Sequence, residues 1–402
     1  MPAEFAHHWT LDPTVTFLNH GSFGAAPREV LASQQAWRDR IEAEPVRFFS
    51  ELEAELDEAR RALGAFVGAD PDDLAFVPNA TAGTNAVLRS LRFDVGDELL
   101  TTDHAYNAVK NAMEYVAERD GARVVIAPVP FPTESSEQIV SAVLAAVTPQ
   151  TRLAVLDHIT SATALIFPIR QLTDELSRRG IDSLVDGAHA PGQVALNVES
   201  VGATYYAANL HKWVCAPKGS GFLWVRRDRQ AEIRPLAISH GANSPRTDRS
   251  RFRVEFDWTG TADPSAYLAV PAAIRFGENL LPGGWETLRA RNHDLVMAGR
   301  SLVSAAAGIA VAAPETMIGT MASIPLPLQG GGGRVQGVEL YGDPVHAHLL
   351  AHGIQAMVTP WPQRPSGGPW RRLVRISAAG YNDLDQYERL AAVMPGAIAA
   401  ES

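Results

Sequence analysis

The chain has 402 residues, of which 46% are hydrophobic and 20% charged, enough for one large domain and a smaller companion. The formal net charge of −10 leaves no general basic surface for a phosphate backbone, so no nucleic-acid partner is expected. A single cysteine, Cys215, excludes an intrachain disulfide and Cys-rich zinc motifs. Because no export signal and no long apolar run are recognisable, we expect a cytoplasmic protein without a membrane span or a bound metal.

Short apolar segments of β type alternate with helix-length amphipathic segments between about residues 73 and 227. The strand candidates, in chain order, are LAFV, ELLTT, RVVIAPV, RLAVLDH, DSLVDG, ATYYAA and GFLWV. Helix candidates between them include TAGTNAVLRSL, AYNAVKNAMEYVAERDG and IRQLTDELSRRG. This alternation predicts α/β architecture, with a mainly parallel seven-stranded sheet covered by helices.

The pattern changes after Pro282, Gly283 and Gly284, where a long helical stretch is followed by shorter strand and helix candidates. We therefore expect an N-terminal arm and large domain over residues 1–280, and a smaller α+β domain over residues 281–402. The glycine run at 330–333 lacks the Lys-Ser/Thr pair of a phosphate-binding P-loop. It is interpreted as a surface loop.

Polar residues follow several strand candidates directly, and ligands of open α/β sheets bind beyond the carboxyl ends of the strands. Asp186 ends one such strand, where a buried carboxylate needs a cationic partner such as a protonated ring nitrogen. A helix or turn cap is the commoner use of such an aspartate. Lys212 follows the next strand in a segment with little other charge, where its lowered pKa would favour imine formation with an aldehyde. A surface lysine is the ordinary alternative.

Thr81 opens a helix candidate after LAFVP, so its hydroxyl and the nearby backbone N–H groups could hold a phosphate. Alone, a threonine at this position is usually an N-cap. Together, Thr81, Asp186 and Lys212 supply a phosphate cup, a partner for a ring nitrogen and an imine-forming amine on successive strand ends. This combination predicts one cofactor site.

Several motifs carry a resemblance to the class V, fold-type-I enzymes that use pyridoxal 5'-phosphate (PLP), most closely to the isopenicillin N epimerase-like branch. The matching stretches are DPTVTFLNHGSFGAAPREV, FVPNATAGTNAVLRSL, TTDHAYNA, LDHITSATALIFP, DGAHAPGQ, AANLHKW, KGSGFLWV and WTGTADPSAYLAV. They cover most of the chain up to about residue 275. The resemblance implies a homodimer with shared active sites and an amino-acid-derived substrate.

The resemblance also implies a role for each matching residue. Lys212 would form the Schiff base with PLP, Asp186 would contact the pyridine nitrogen, and His189 the phenolic oxygen. The substrate end would hold Asn19, His20 and Arg375, of which Arg375 would bind the substrate carboxylate. The other cofactor contacts would come from Ala80, Thr81, Ser161, Asn209 and His211, from Thr261 of the second chain, and from Tyr106 or alternatively His104 stacking on the ring.

The step after proton removal at Cα stays open. Epimerisation needs a second acid on the opposite face of Cα, which Tyr106 or His104 could supply. Elimination across Cα and Cβ needs a leaving group instead. A carbon–sulfur β-lyase or an oxidative decarboxylase acting on a cysteine conjugate needs no cysteine as sulfur acceptor, and transamination or a non-catalytic PLP-binding protein are further alternatives. Sulfur transfer to a mobile-loop cysteine is disfavoured, because the stretch TPWPQRPSGGPWRR contains no cysteine.

Overall fold

The computed structural model describes residues 4–326, 343–362 and 371–399. The glycine run at 330–333 lies outside these ranges. Strands are numbered in chain order as β1 (Thr16–Phe17), β2 (Leu74–Val77), β3 (Glu98–Thr102), β4 (Arg123–Ala127), β5 (Thr151–Asp157), β6 (Asp182–Asp186), β7 (Tyr205–Asn209), β8 (Gly221–Val225), β9 (Met321–Pro325), β10 (Ile354–Gln355), β11 (Met357–Trp361) and β12 (Arg371–Ser377).

A seven-stranded sheet in the order β2-β8-β7-β6-β5-β3-β4 forms the centre of the fold. The neighbours from β7 to β4 all pair in parallel, whereas β8 runs antiparallel to both β7 and β2. Each of these seven strands coincides with a strand candidate of the sequence. The predicted α/β architecture with a mainly parallel sheet is therefore confirmed.

Helices cover both faces of this sheet. Numbered in chain order, the helices are α1 (His20–Phe23), α2 (Arg28–Ala43), α3 (Pro45–Val67), α4 (Ala80–Ser90), α5 (Asn107–Asp120), α6 (Ser136–Ala145), α7 (Ile169–Arg178), α8 (Val198–Val201), α9 (Arg251–Phe256), α10 (Ser265–Leu268), α11 (Val270–Asn279), α12 (Gly284–Ala307), α13 (Pro344–Ala351) and α14 (Leu384–Ala399). The described part of the chain contains no helix that is both long and apolar enough for a membrane crossing.

The side chains of the central strands alternate between two apolar clusters, one on each face of the sheet. In β5, Leu153 and Val155 belong to the cluster that includes α4 and α5, whereas Ala154 and Leu156 belong to the larger cluster on the other face. Strands buried on both faces need near-continuous apolar sequence, which explains why these segments were recognisable. The polar ends of the same strands are left at one edge of the sheet.

A second, three-stranded antiparallel sheet has the order β11-β12-β9 and packs with α12. The N-terminal arm reaches this region, because β1 pairs in parallel with β10 through Thr16 and Ile354. The predicted boundary at residue 280 falls between α11 and α12. The division into two domains stays a prediction.

Candidate active site

A cavity of about 200 Å³ lies at the carboxyl ends of β5, β6 and β7, next to the start of α4. Its walls combine hydrogen-bond donors, two carboxylates and one lysine. The lining residues are Ser22, Asn79, Ala80, Thr81, Tyr106, Asp157, Ser161, Asp186, Ala188, His189, Asn209, His211 and Lys212. The structure thus brings together most of the site residues that the sequence predicted.

The start of α4 forms one end of the cavity. Asn79 caps the helix by accepting a hydrogen bond from the Ala82 N–H at 2.9 Å, and Asn209 Oδ1 accepts one from the Ala80 N–H at 2.8 Å. The first N–H groups of a helix have no partner within the helix and favour anions. Together with the Thr81 hydroxyl and the His211 imidazole, this end of the cavity suits a phosphate group.

The imidazole of His211 contacts a backbone carbonyl group. Its Nδ1 lies 3.1 Å from the Ser220 carbonyl oxygen, which can only accept, so Nδ1 carries a proton. Burial lowers the pKa of His211 to about 4. A phosphate dianion beside the ring would oppose this shift, because it favours the charged imidazolium.

Two carboxylates lie side by side at the end of the cavity that is opposite to the start of α4. Asp157 and Asp186 are register partners at the ends of the neighbouring strands β5 and β6, and both are buried. Desolvation raises the pKa of both carboxyl groups, and the proximity of Asp186 raises that of Asp157 further. Asp186 accepts a hydrogen bond from the Ala188 N–H at 2.9 Å. The cavity can therefore stabilise a positive charge at this end.

Lys212 is partly buried between these two ends. Its Nζ lies 3.1 Å from Nε2 of His189, whose ring is buried. Burial, and then the charge of Arg375, lowers the pKa of Lys212 to about 7. Desolvation likewise lowers the pKa of His189. A lysine with this pKa is a neutral nucleophile in a large fraction of molecules near pH 7.

Arg375 lies on β12 behind the cavity wall and contacts residues from two other segments. Its guanidinium donates to the Ser161 carbonyl oxygen at 2.7 Å, to Ser22 Oγ at 2.8 Å and to Asn19 Oδ1 at 3.3 Å. Ser22 and Ser161 also line the cavity. Arg375 and Asn19 thus lie just behind the lining residues.

Besides Arg375 and Asn19, three further predicted site residues do not line the cavity. Both ring nitrogens of His20 are engaged, Nδ1 with the Tyr381 hydroxyl at 2.7 Å and Nε2 with the Lys212 carbonyl at 2.8 Å. Thr261 is exposed at the surface. His20 therefore contacts the backbone of Lys212, and its expected place at the substrate end stays a prediction.

The third is His104, which was the alternative to Tyr106 for stacking on the cofactor ring. Its nitrogens contact Thr163 Oγ1 at 2.7 Å and the Val129 carbonyl at 3.1 Å, and its ring packs against Trp361. Burial lowers its pKa to about 3. These contacts make His104 a packed core histidine, whereas Tyr106 lines the cavity.

Asp157 and Ser22 line the cavity but were not predicted from the sequence. Asp157 ends a strand candidate as Asp186 does, so the same strand-end rule would have found it. Ser22 lies in the N-terminal arm, which the pairing of β1 with β10 and the hydrogen bonds of Arg375 hold at the cavity. It follows Asn19 and His20, which the sequence predicted for the site, within a few residues.

The fold is similar to that of solved PLP fold-type-I enzymes. A cysteine desulfurase from Thermococcus onnurineus matches with a TM-score of 0.79, at 20% identity, over 99% of each chain. Among known sequences, "Isopenicillin N epimerase" from Streptomyces clavuligerus is 36% identical over 79% of this chain and 82% of its own length. "Probable L-cysteine desulfhydrase, chloroplastic" from Arabidopsis thaliana is 31% identical over 98% of this chain and 85% of its own.

The family described as aminotransferase class-V matches residues 19–340. The chain therefore belongs to the class V aminotransferase family and is a PLP-dependent enzyme. Its relatives include both an epimerase and carbon–sulfur lyases, so membership alone leaves the reaction open.

Proposed function

We propose that Lys212 holds PLP covalently in the cavity of about 200 Å³ and that the other lining residues hold its parts. The phosphate would lie at the start of α4, against Ala80, Thr81, Asn209 and His211. Asp186 would contact the ring nitrogen. Support comes from the donor set, which is rich in N–H and O–H groups at one end and carries buried carboxylates at the other.

When bound, PLP supplies an aldehyde that links to amines and a ring that draws electrons from Cα. Asp186 would keep the ring nitrogen protonated, and Tyr106 would lie beside the ring. Lys212 would act as the base that takes the proton from Cα. Arg375 supplies a positive charge for the substrate carboxylate near Ser22 and Ser161.

We propose elimination of a sulfur group from Cβ of a cysteine-type amino acid as the reaction. The observation that carries this choice is the similarity to the protein named "Probable L-cysteine desulfhydrase, chloroplastic", which is 31% identical over 98% of this chain. Lys212, whose Nζ lies 3.1 Å from His189 Nε2, would be the base. Lys212 removes the Cα proton, the Cβ–S bond breaks, and the sulfur leaves with the bonding electrons and takes up a proton. Hydrolysis of the unsaturated product then gives pyruvate and ammonia.

Cys215 does not suit the role of a sulfur acceptor. It is the single cysteine of the sequence, its Sγ lies 3.8 Å from His20 Nε2, and burial raises the pKa of its thiol to about 12. A thiol with this pKa is a poor nucleophile at neutral pH. The sulfur would therefore leave as a free thiol or sulfide.

Epimerisation at Cα is the second candidate, and Tyr106 favours it. Its side chain lines the cavity and is 44% exposed, so a phenol could exchange protons with solvent and return one to Cα from the face opposite Lys212. This reaction would leave the side chain of the substrate intact.

A homodimer is also proposed, in which Thr261 of one chain reaches the phosphate of the other. Thr261 is exposed and does not line the cavity of its own chain, which supports this arrangement. Thr261→Ala should weaken PLP binding without changing the oligomer mass, as measured by light scattering. A cytoplasmic location remains part of the proposal and is tested by cell fractionation.

The cofactor link is tested by borohydride reduction of the purified yellow protein, followed by peptide mass spectrometry. The reduced cofactor should be found on the peptide containing Lys212. The matched control is Lys218→Ala, which removes a nearby lysine that donates to the Gly24 carbonyl and should keep the label. A Lys212→Ala protein that is still labelled, or a wild type that binds no PLP, would overturn the proposal.

The reaction is tested by incubating the enzyme with L-cysteine, S-substituted cysteines and other amino acids in heavy water. Elimination predicts pyruvate together with a released thiol or sulfide. Deuterium at Cα of an intact amino acid with inverted configuration would replace elimination by epimerisation. Tyr106→Phe should abolish this inversion if the phenol is the second acid, but should spare elimination.

A further inference from the structure

The His189 ring is contacted through both of its nitrogens. The indole Nε1–H of Trp213 donates to His189 Nδ1 at 3.3 Å, and His189 Nε2 lies 3.1 Å from Lys212 Nζ. The backbone of His189 is held as well, because Gln193 Nε2 donates to its carbonyl at 2.8 Å. The imidazole therefore links the indole to the lysine amine.

The indole decides which nitrogen of the imidazole carries the proton. An indole N–H can only donate, so His189 Nδ1 must accept and cannot be protonated. In a neutral imidazole the proton is then on Nε2. That N–H points to Lys212 Nζ, which can accept it only when the amine is neutral. The lowered pKa values of both groups agree with this pattern.

The Trp213 indole has little freedom to turn away. Its side chain is buried and packs against the His20 ring at 5.0 Å between centroids. A Cβ added at Gly21 would meet the indole at 3.4 Å. Trp213 also directly follows Lys212 in the chain, so the two side chains are fixed by the same short segment.

We propose that Trp213 is a positioning residue that keeps the proton of His189 on Nε2. The Nε2–H group then donates a hydrogen bond to one of two partners, depending on whether PLP is bound. In the cofactor-free protein it donates to the Lys212 amine and favours its neutral form. With PLP bound, the same N–H would donate to the phenolic oxygen of the ring, and this second use rests on the proposed function.

The test compares Trp213→Phe with Trp224→Phe in the full-length protein. Phenylalanine keeps an aromatic ring at position 213 but removes the N–H. Trp224 is an equally buried control, and its indole nitrogen has no hydrogen-bond partner within the part of the chain that is described. Nitrogen-15 NMR of histidine-labelled, cofactor-free protein reports which nitrogen of His189 is protonated.

Wild type and Trp224→Phe should show the proton on Nε2, whereas Trp213→Phe should show a mixture of both tautomers. The fraction of neutral Lys212, measured by its pH-dependent labelling with an amine reagent, should fall roughly fivefold in Trp213→Phe, as expected for loss of one neutral hydrogen bond. Unchanged NMR and labelling in Trp213→Phe would overturn the proposal. If that variant does not fold, a wild-type proton found on Nδ1 would overturn it equally.

These readouts do not require bound PLP. A wild type that never binds PLP but keeps the Nε2 proton would refute the proposed function and leave the role of Trp213 intact. A wild type that binds PLP but carries the His189 proton on Nδ1 would refute the role of Trp213 and leave the proposed function intact.

Discussion

Replacing Lys212 with methionine in the cofactor-free protein removes its amine and keeps a long unbranched side chain. The amine stays protonated in the unfolded chain up to its ordinary pKa of 10.5, whereas burial lowers the folded pKa to about 7. The folded state therefore binds fewer protons in this window, and the wild type gains stability as the pH rises through it. The free energy of unfolding rises by at most about 5 kcal/mol over this pH window, and water in the cavity reduces this gain.

Lys212→Met has no amine to titrate, so its stability should not rise in this way and should exceed that of the wild type near pH 7. The assay is urea unfolding of both cofactor-free proteins at several pH values between about 7 and 10, where the slopes differ by at most roughly 1.4 kcal/mol per pH unit. Lys218→Met is the control and should keep most of the gain. Parallel curves for wild type and Lys212→Met would show that the folded amine is charged, and would refute the argument from burial.

Arg375→Lys loses the forked donors that reach Ser161, Asn19 and Ser22, so KM for the amino-acid substrate should rise roughly 10- to 100-fold in steady-state assays, with a smaller change in kcat. An unchanged KM would mean that Arg375 is structural. Burial raises the pKa of Asp157 above its ordinary 3.8, so stability of the cofactor-free protein should fall as the pH rises above this value. Asp157→Asn should reduce this fall in thermal unfolding scans and leave the part that is due to Asp186, and a variant that parallels the wild type would contradict it. Gly24→Ala would place a Cβ 1.9 Å from the His211 carbonyl oxygen at a φ of +65°, so it should cost more than about 1 kcal/mol. Gly96→Ala, which has a φ of +92° but open space, should cost less by the same unfolding assay.

The central sheet could be predicted from the sequence because its strands are buried on both faces. Near-continuous apolar segments such as β5 and β7 stand out from the amphipathic helices between them. The pairing of β1 with β10 could not be predicted, because each strand has two residues and its partner lies at the other end of the chain. Short strands of this kind carry no periodicity.

Within the candidate site, the strand-end rule found Asp186 and Lys212 and would have found Asp157. It could not separate Tyr106 from His104, since both follow β3 within a few residues. Their difference arises from packing, because the His104 ring is enclosed by Thr163, the Val129 carbonyl and Trp361. Such enclosure depends on residues distant in sequence.

The contacts of the N-terminal arm have a consequence for the order in which the protein is built. Residues 74–225, which contain the seven strands of the main sheet, leave the ribosome well before β12. Asn19 and Ser22 leave the ribosome early and can bond to each other, but they must wait for Arg375 before they accept its hydrogen bonds. A nascent chain can thus complete its sheet while the arginine behind the cavity wall is still missing.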